Sequence, residues 1–489
     1  MFGLSAGVYD RIIDRSFIVN GSGLLAGGIV ISSKKGPVGV NTVTSASEFI
    51  ELYGRPTMDN PSMYCAVRFL ARANILTVNR VIVDAGTAKA TAAIGADIIF
   101  RISALNPGAW GNKISVAFEE VAEPVFDSFY VVIKNDGKIV EKYEVSRDPD
   151  AKNGFGSNIY IEEVVNNRSR YIRIEDDPSG VGDVLDIPEI TLRGGSDDTT
   201  APDSAAIVSA WDEFANAELV PAQLLINGGW AVPAVQQKML AVAEARRDAV
   251  AILDVPEDTA ENVADMILYR KTLLGADTYY GGLYGGWVRI YDADADREAV
   301  IPPSGDVAAV FLHTAEVAER WDAPAGLQRG VIPNAVGVSK VLTEGERDQL
   351  YVAGVNPVTS YAGAAAVIWG QKTLQTRASA MDRFNVVNTV LWINNRMVQA
   401  LQPFVFQPNT KFTRDSVNFL LASFLDDIKK RDGLYDFYVD TSDELNTPQV
   451  IDNNQMLVNV FIKPVRTAEF IQLSTIVSPT GVELGGVVA

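Results

Sequence analysis

The spacing of apolar and polar positions changes character several times along this chain. From residue 24 to 84 it alternates between short apolar runs and helical periodicity. Residues 26–32 read as a buried strand ended by Lys35-Gly36-Pro37, and 75–83 read as another. Between them, Ser45 and Glu48 stand at capping-box spacing for a short helix that Gly54 ends. Asn60-Pro61 opens a second helix, which runs past Cys65.

Helical periodicity stops between 95 and 195. Strand-like alternation replaces it at 98–104, 114–119, 128–134, 139–145 and 171–175. Asn135-Asp136-Gly137 lies between two of these segments and is a strong hairpin signal. These features predict an all-β domain, and the α/β rhythm resumes after it, so the domain reads as an insertion. Gly194-Gly195 opens the return linker.

From 202 to 370 strands at 223–227 and 249–254 alternate with helices at 233–247, 258–274 and 306–321; 279–291 reads as a glycine-broken strand pair. That rhythm predicts a mixed or mostly parallel sheet covered by helices. A first C-terminal helix is predicted from 383 and a second over 412–431. Extended segments follow at 435–440 and 456–462.

Both ends of the chain are short and extended in pattern. Residues 1–20 contain Ile12, Ile13, Phe17, Ile18 and Val19 among polar neighbours. The tail from 471 contains Ile471, Leu473 and Ile476, followed by Pro479 and Gly481, which forbid a helix. Neither end has enough apolar side chains for a core of its own. The expected organisation is therefore an N-terminal arm (1–20), an α/β middle domain (21–94 and 196–370), the inserted β domain (95–195), a C-terminal α+β domain (371–470) and a C-terminal arm (471–489).

Three phrases in the C-terminal region, LQPFVFQPN (401–409), NTPQVIDN (446–453) and PVRTAEFI (464–471), occur in that order and are joined by the two helices. Together they resemble the C-terminal domain of contractile phage tail sheath proteins. NPGAWGN (106–112) resembles the start of that family's inserted β domain. The resemblance implies a multidomain tail-sheath-like fold and a structural subunit of a contractile sheath. Such a sheath surrounds a tail tube and contracts to drive it through the target cell envelope during genome or effector delivery. The implied partners are further copies in stacked hexameric rings, the tube protein, and baseplate and tail terminator proteins. The implied place is the virion tail, after assembly in the host cytoplasm.

The resemblance also implies roles for particular residues. Arms from two neighbours would complete one sheet, with Ile12, Ile13, Phe17, Ile18, Val19, Val439, Val458, Val460, Ile471, Leu473 and Ile476 as candidates for strand exchange. The second C-terminal helix would face the tube, with Lys429, Lys430 and Arg431 at its end.

Charge sharpens this picture. The chain of 489 residues carries a formal net charge of −19. An acidic surface disfavours unspecific nucleic-acid binding and docking on an anionic membrane. Residues 371–489 hold 11 Lys/Arg and 12 Asp/Glu, so they are close to neutral and the acidity lies in the rest. No run approaches the ~18 consecutive apolar residues of a membrane span, and the N-terminus lacks a basic region and a sustained apolar run, so neither membrane insertion nor a signal peptide is expected.

Candidate chemistry is sparse. His313 is the one histidine and Cys65 the one cysteine, which disfavours a Ser-His-Asp triad and a zinc site and excludes an intrachain disulfide. Asp292-Ala293-Asp294-Ala295-Asp296 begins like a calcium loop, but Arg297 and Pro303 stand where Gly and Glu are needed. The glycines at 281, 282, 285 and 286 read as a close backbone approach or a bend. Asp254, at the end of an apolar strand, reads as a cap for the next helix. No catalytic residue, cofactor or metal is expected. The competing readings are an α/β hydrolase-like enzyme with an accessory β domain, and a static, non-contractile shell protein.

Overall fold

The computed structural model describes residues 25–82, 89–94, 100–122, 127–177, 183–197, 202–361 and 363–470. Eight strands form the central sheet. Six are parallel, in the spatial order Leu76–Arg80, Gly27–Ile31, Leu224–Ile226, Val250–Asp254, Gly281–Gly285 and Val355–Tyr361. An antiparallel strand closes each edge, Gly39–Val43 on one side and Ala364–Ile368 on the other. The parallel strands are buried almost throughout because helices cover both faces, and those at the centre, such as Gly27–Ile31, are apolar from end to end.

The first strand shows how closely the layers meet. A Cβ on Gly27 would fall 2.6 Å from the Phe69 ring of helix Pro61–Leu70. One on Gly28 would fall 2.8 Å from Phe214, which follows helix Ser204–Asp212 and packs on Trp211. Successive strand residues point to opposite faces, so two adjacent glycines let helices approach from both sides.

The glycines from 281 do the same work at the far side of the sheet. They form a central strand, Gly281–Gly285, and not half of a hairpin: the next strand, Val288–Asp292, belongs to a separate three-stranded sheet with Arg297–Ile301 and Ala335–Val338. A Cβ on Gly282 would run into the Phe384 ring and meet the Lys372 carbonyl oxygen at 2.9 Å. Phe384 is fully buried, lies 5.1 Å edge-on to Phe311, and heads the first C-terminal helix, Phe384–Leu401.

Two other expectations change. The helix expected over 258–274 begins at Val263 and ends in a wide π-type turn, Tyr269–Leu274. Asp254 caps a helix, but not the next one. Its carboxylate accepts from the Ser304 backbone N–H (2.8 Å) and hydroxyl (2.6 Å) at the head of helix Ser304–Val317, and from the Gly229 N–H (3.0 Å).

The insertion has its own core, built on a four-stranded and a three-stranded antiparallel sheet. Asp136 and Gly137 both adopt positive φ at its main hairpin, as a tight two-residue turn requires. The insertion is not purely β. Ile161–Arg168 is a helix that buries Ile161, Val164 and Val165. The Asn166 side chain brackets the backbone of Ile174 with two hydrogen bonds of 2.8 and 2.9 Å, which locks the helix to its strand. Strand Thr91–Ile94 pairs with Phe100–Ala104, so this unit starts before residue 95.

The root of the insertion is tied to the central domain. Thr91 and Arg193 exchange two backbone hydrogen bonds, at 2.8 and 3.0 Å, so the chain enters and leaves at one place, and Asn112 exchanges two more with Gly195, at 2.8 and 2.9 Å. Buried Arg80 donates to the carbonyls of Ser33 and Gly36 in the central domain and of Pro107 in the insertion.

Candidate assembly interface

The C-terminal domain holds the candidate site. Helix Lys411–Lys430 starts at Thr410, whose hydroxyl accepts from the Thr413 N–H, and buries Val417, Leu421, Leu425 and Ile428. These meet Trp321, Ile393, Leu434 and Val439 in a small separate core. A two-stranded antiparallel sheet, Leu434–Asp440 with Asn459–Pro464, covers that core.

The family phrases work as staples around this sheet. In LQPFVFQPN, the Asn409 amide donates to the Gln455 carbonyl and its oxygen accepts from Arg414. Arg414 is buried and also bonds Asp443. In NTPQVIDN, buried Asn446 brackets Leu457 with bonds of 2.8 and 3.0 Å, closing the connection between the strands. Pro448 opens a short helix, Pro448–Asp452, within that connection. In PVRTAEFI, Glu469 accepts from Arg383 Nε (2.7 Å), the Tyr351 hydroxyl (2.7 Å) and Gln371 Nε2 (3.2 Å). Burial works against the Glu469 charge, but these hydrogen bonds and the Arg383 guanidinium outweigh it and hold the carboxyl below its ordinary range.

Neither outer edge of this sheet has a strand partner among the described residues. Its inner face carries Val439, Val460 and Ile462, and Val458 packs beside them on the same core. The outer face carries Tyr435, Tyr438 and Phe461, each more than half exposed, with Tyr438 and Phe461 paired across the strands at 6.2 Å. Of the strand-exchange candidates, Val439, Val458 and Val460 therefore support the sheet from beneath. The aromatic side chains presented outward escaped the sequence reading; strict alternation around Val439 and Val460 would have found Tyr438 and Phe461, whereas Tyr435 sits at the register shift between Leu434 and Asp436. Ile12, Ile13, Phe17, Ile18, Val19, Ile471, Leu473 and Ile476 lie outside the described residues.

Lys429, Lys430 and Arg431 lie together at the end of the second helix, and each has a carboxylate in its own chain. Lys429 bonds Asp436 at 2.8 Å, and Lys430 bonds Asp426 at 2.7 Å. Arg431 donates to Glu319 (3.0 Å), lies over Trp321, and so ties this domain to the central one. The exposed stripe of this helix also presents Phe412 and Phe419. In the loop before it, Phe406 is fully exposed at φ +69°, a left-handed backbone that a bulky residue adopts at a cost.

Asp254 is closed to any substrate. It is fully buried, both carboxylate oxygens are engaged by Gly229 and Ser304, and burial pushes its carboxyl up to about 7. His313 is half-buried on helix Ser304–Val317. Among the described residues no group of three His, Cys, Asp or Glu side chains is placed to hold a metal ion, and no helix is long and apolar enough to cross a membrane.

The profile of the phage tail sheath protein central domain matches residues 200–374, and that of the phage tail sheath C-terminal domain matches residues 376–478. The chain belongs to the phage tail sheath family. It is 28% identical over 383 residues to the tail sheath protein of Enterobacteria phage T4, covering 74% of this chain and 57% of that one. It is also 28% identical over 388 residues to the tail sheath protein of Vibrio phage KVP40, with the same coverage. The chain thus spans rather more than half the length of these curated relatives.

Among solved structures, the fold is similar to the sheath tail protein of Listeria innocua, with a TM-score of 0.63 and 13% identity over 90% of this chain and 95% of that one. It is similar too to the helical sheath of the anti-feeding prophage in its contracted state, with a TM-score of 0.58 and 14% identity over 97% and 99% of the two chains. The insertion lies outside both sheath profiles, while all three C-terminal family phrases lie inside the second.

Proposed function

We propose that this chain is the structural subunit of a contractile tail sheath, a sleeve of stacked hexameric rings around a tail tube. Its contraction drives the tube through the target cell envelope to deliver a genome or effectors. The observation that carries this reading is the two-stranded sheet within the sheath C-terminal domain, short and, among the described residues, open at both edges. A sheet of two strands is marginal alone, and open edges accept further strands by main-chain hydrogen bonding. The arms at 1–20 and 471–489 supply those strands to neighbouring subunits. The work of contraction comes from the difference in inter-subunit contacts between two packings of one folded subunit, and no covalent chemistry is needed. The end of helix Lys411–Lys430, with Lys429, Lys430 and Arg431, faces the tube. Baseplate and terminator proteins bound the sleeve, nucleic acid and membrane make no direct contact with it, and assembly takes place in the host cytoplasm before the sleeve becomes part of the virion tail.

Electron microscopy of the purified chain tests this. Striated hollow cylinders are expected, shortening and widening when triggered. Smooth cylinders that never shorten would support a static shell, and monomers with a deep cleft would support an enzyme. Removing residues 1–20 should give soluble, folded monomers. Long contractile cylinders from the truncated chain would refute arm exchange.

A further inference from the structure

After strand Asn459–Pro464 the chain does not leave directly. Five residues further on, Glu469 turns back onto the central domain. Between the two, Val465 donates to the Gly433 carbonyl at 3.3 Å, and Thr467 accepts from Gln371 at 2.8 Å. Glu469 then takes three donors from three different elements. Tyr351 belongs to helix Glu344–Val352, which leads straight into central-sheet strand Val355–Tyr361. Arg383 sits at the head of helix Phe384–Leu401. Gln371 lies between them, buried, and its own side-chain oxygen accepts from the Asn385 N–H in that helix's first turn.

We propose that Glu469 is the anchor that passes tension on the C-terminal arm to the central domain. This rests on the reading of residues 471–489 as a link to a neighbouring subunit. The route of the chain gives the reason. If the arm left directly from Pro464, a pull would act on the end of the two-stranded sheet and open its hydrogen bonds one at a time. Glu469 intercepts the pull. Its bond to Arg383 is charge-assisted and that to Tyr351 short and partly buried, so both are stronger than an ordinary neutral pair at the surface. Tension then enters the eight-stranded sheet through Tyr351 and the first C-terminal helix through Arg383. The two-stranded sheet carries none of it, and its edges stay in shape for incoming strands.

The test uses the full chain with Glu469→Ala, Glu469→Asp and Tyr351→Phe. In the unassembled subunit, Glu469→Ala should speed amide hydrogen exchange over residues 465–470 by about tenfold or more, with exchange in helix Lys411–Lys430 unchanged. Glu469→Asp and Tyr351→Phe, which each keep part of the set, should fall between. In assembled cylinders, Glu469→Ala should break into short pieces on triggered contraction while wild type stays continuous. Unchanged exchange at 465–470 would overturn the anchor. Faster exchange with continuous contraction would overturn its role under tension. Intact contraction after removal of residues 471–489 would instead overturn the linking role of the arm, with the exchange result still deciding whether Glu469 anchors the segment.

Discussion

Phe384 joins the C-terminal domain to the central sheet, and replacing it with alanine is a demanding test of that junction. The ring is fully buried between Gly282, Tyr284 and Phe311, with centroids 6.4 Å from Tyr284 and 5.1 Å from Phe311. Truncating a buried phenylalanine costs about 3–5 kcal/mol, from lost transfer energy and the cavity left behind. The flat backbone of Gly282 and the fixed strand beside it give the site little room to collapse, which places the cost near the upper end. At about 2–4 °C per kcal/mol for a domain of this size, the central-domain melting transition should fall by roughly 10–20 °C in scanning calorimetry. The insertion's transition should not move, because its core is separate. Gly282→Ala probes the same contact from the other side. Its Cβ would run into the Phe384 ring and meet Lys372 O at 2.9 Å, an overpacking cost of about 1–3 kcal/mol. In the Phe384→Ala background the ring is gone and only the carbonyl contact remains, so the cost of Gly282→Ala should shrink. A melting shift under about 2 °C for Phe384→Ala, or an equal cost of Gly282→Ala in both backgrounds, would refute this account of the junction.

Three further outcomes are expected. Burial raises the Asp254 carboxyl from 3.8 to about 7, so the folded protein holds this proton more tightly than the unfolded chain. The stabilisation is complete below about pH 4 and is lost as pH rises through about 7, so the stability advantage of wild type over Asp254→Asn in urea titrations should shrink from about pH 4 to about pH 7. Reversing the charges of Lys429, Lys430 and Arg431 removes exposed ion pairs that contribute little each, so circular dichroism should be unchanged while co-sedimentation with tubes weakens; equal co-sedimentation across a salt series would remove the tube-facing role. Replacing residues 89–195 with a short linker should leave the α/β signal intact, and its loss would show that the insertion is needed for the central domain to fold.

Much of the central sheet was legible because parallel strands buried on both faces read as near-continuous apolar runs, as Gly27–Ile31 does. The capping of the first helix was legible too, since Ser45 accepts from the Glu48 N–H. Its return leg was not: the Glu48 carboxylate reaches past Ser45 to the Thr44 N–H. Helix Ile161–Arg168 is too short for its three buried positions to stand out as a period. Asp254 looked like a cap, but its helix begins 50 residues later, and no local pattern encodes a partner brought in by the sheet. The same holds for the candidate site. The open strands and the family phrases could be read directly. The grip of Tyr351, Gln371 and Arg383 on Glu469 could not, because it joins positions 86 to 118 residues apart. The charges at the end of the second helix stand in the sequence, but the pairing of Lys429 with Asp436 and of Arg431 with Glu319 is set by the fold.

The reciprocal backbone bonds between Thr91 and Arg193 have a consequence for heredity. They make the insertion a closed loop of chain whose two ends are already fastened to each other at the surface of the central domain. The entropy of closing a loop grows only slowly with its length, so what lies between those fastenings can lengthen, shorten or be exchanged at small cost to the body beneath. Arg80 holds the base of the loop by the Pro107 carbonyl, a backbone group that survives a change of side chain. A lineage can therefore rewrite the part of this subunit between 91 and 193 while the sheet, its helices and the open strands at the other end keep their shape.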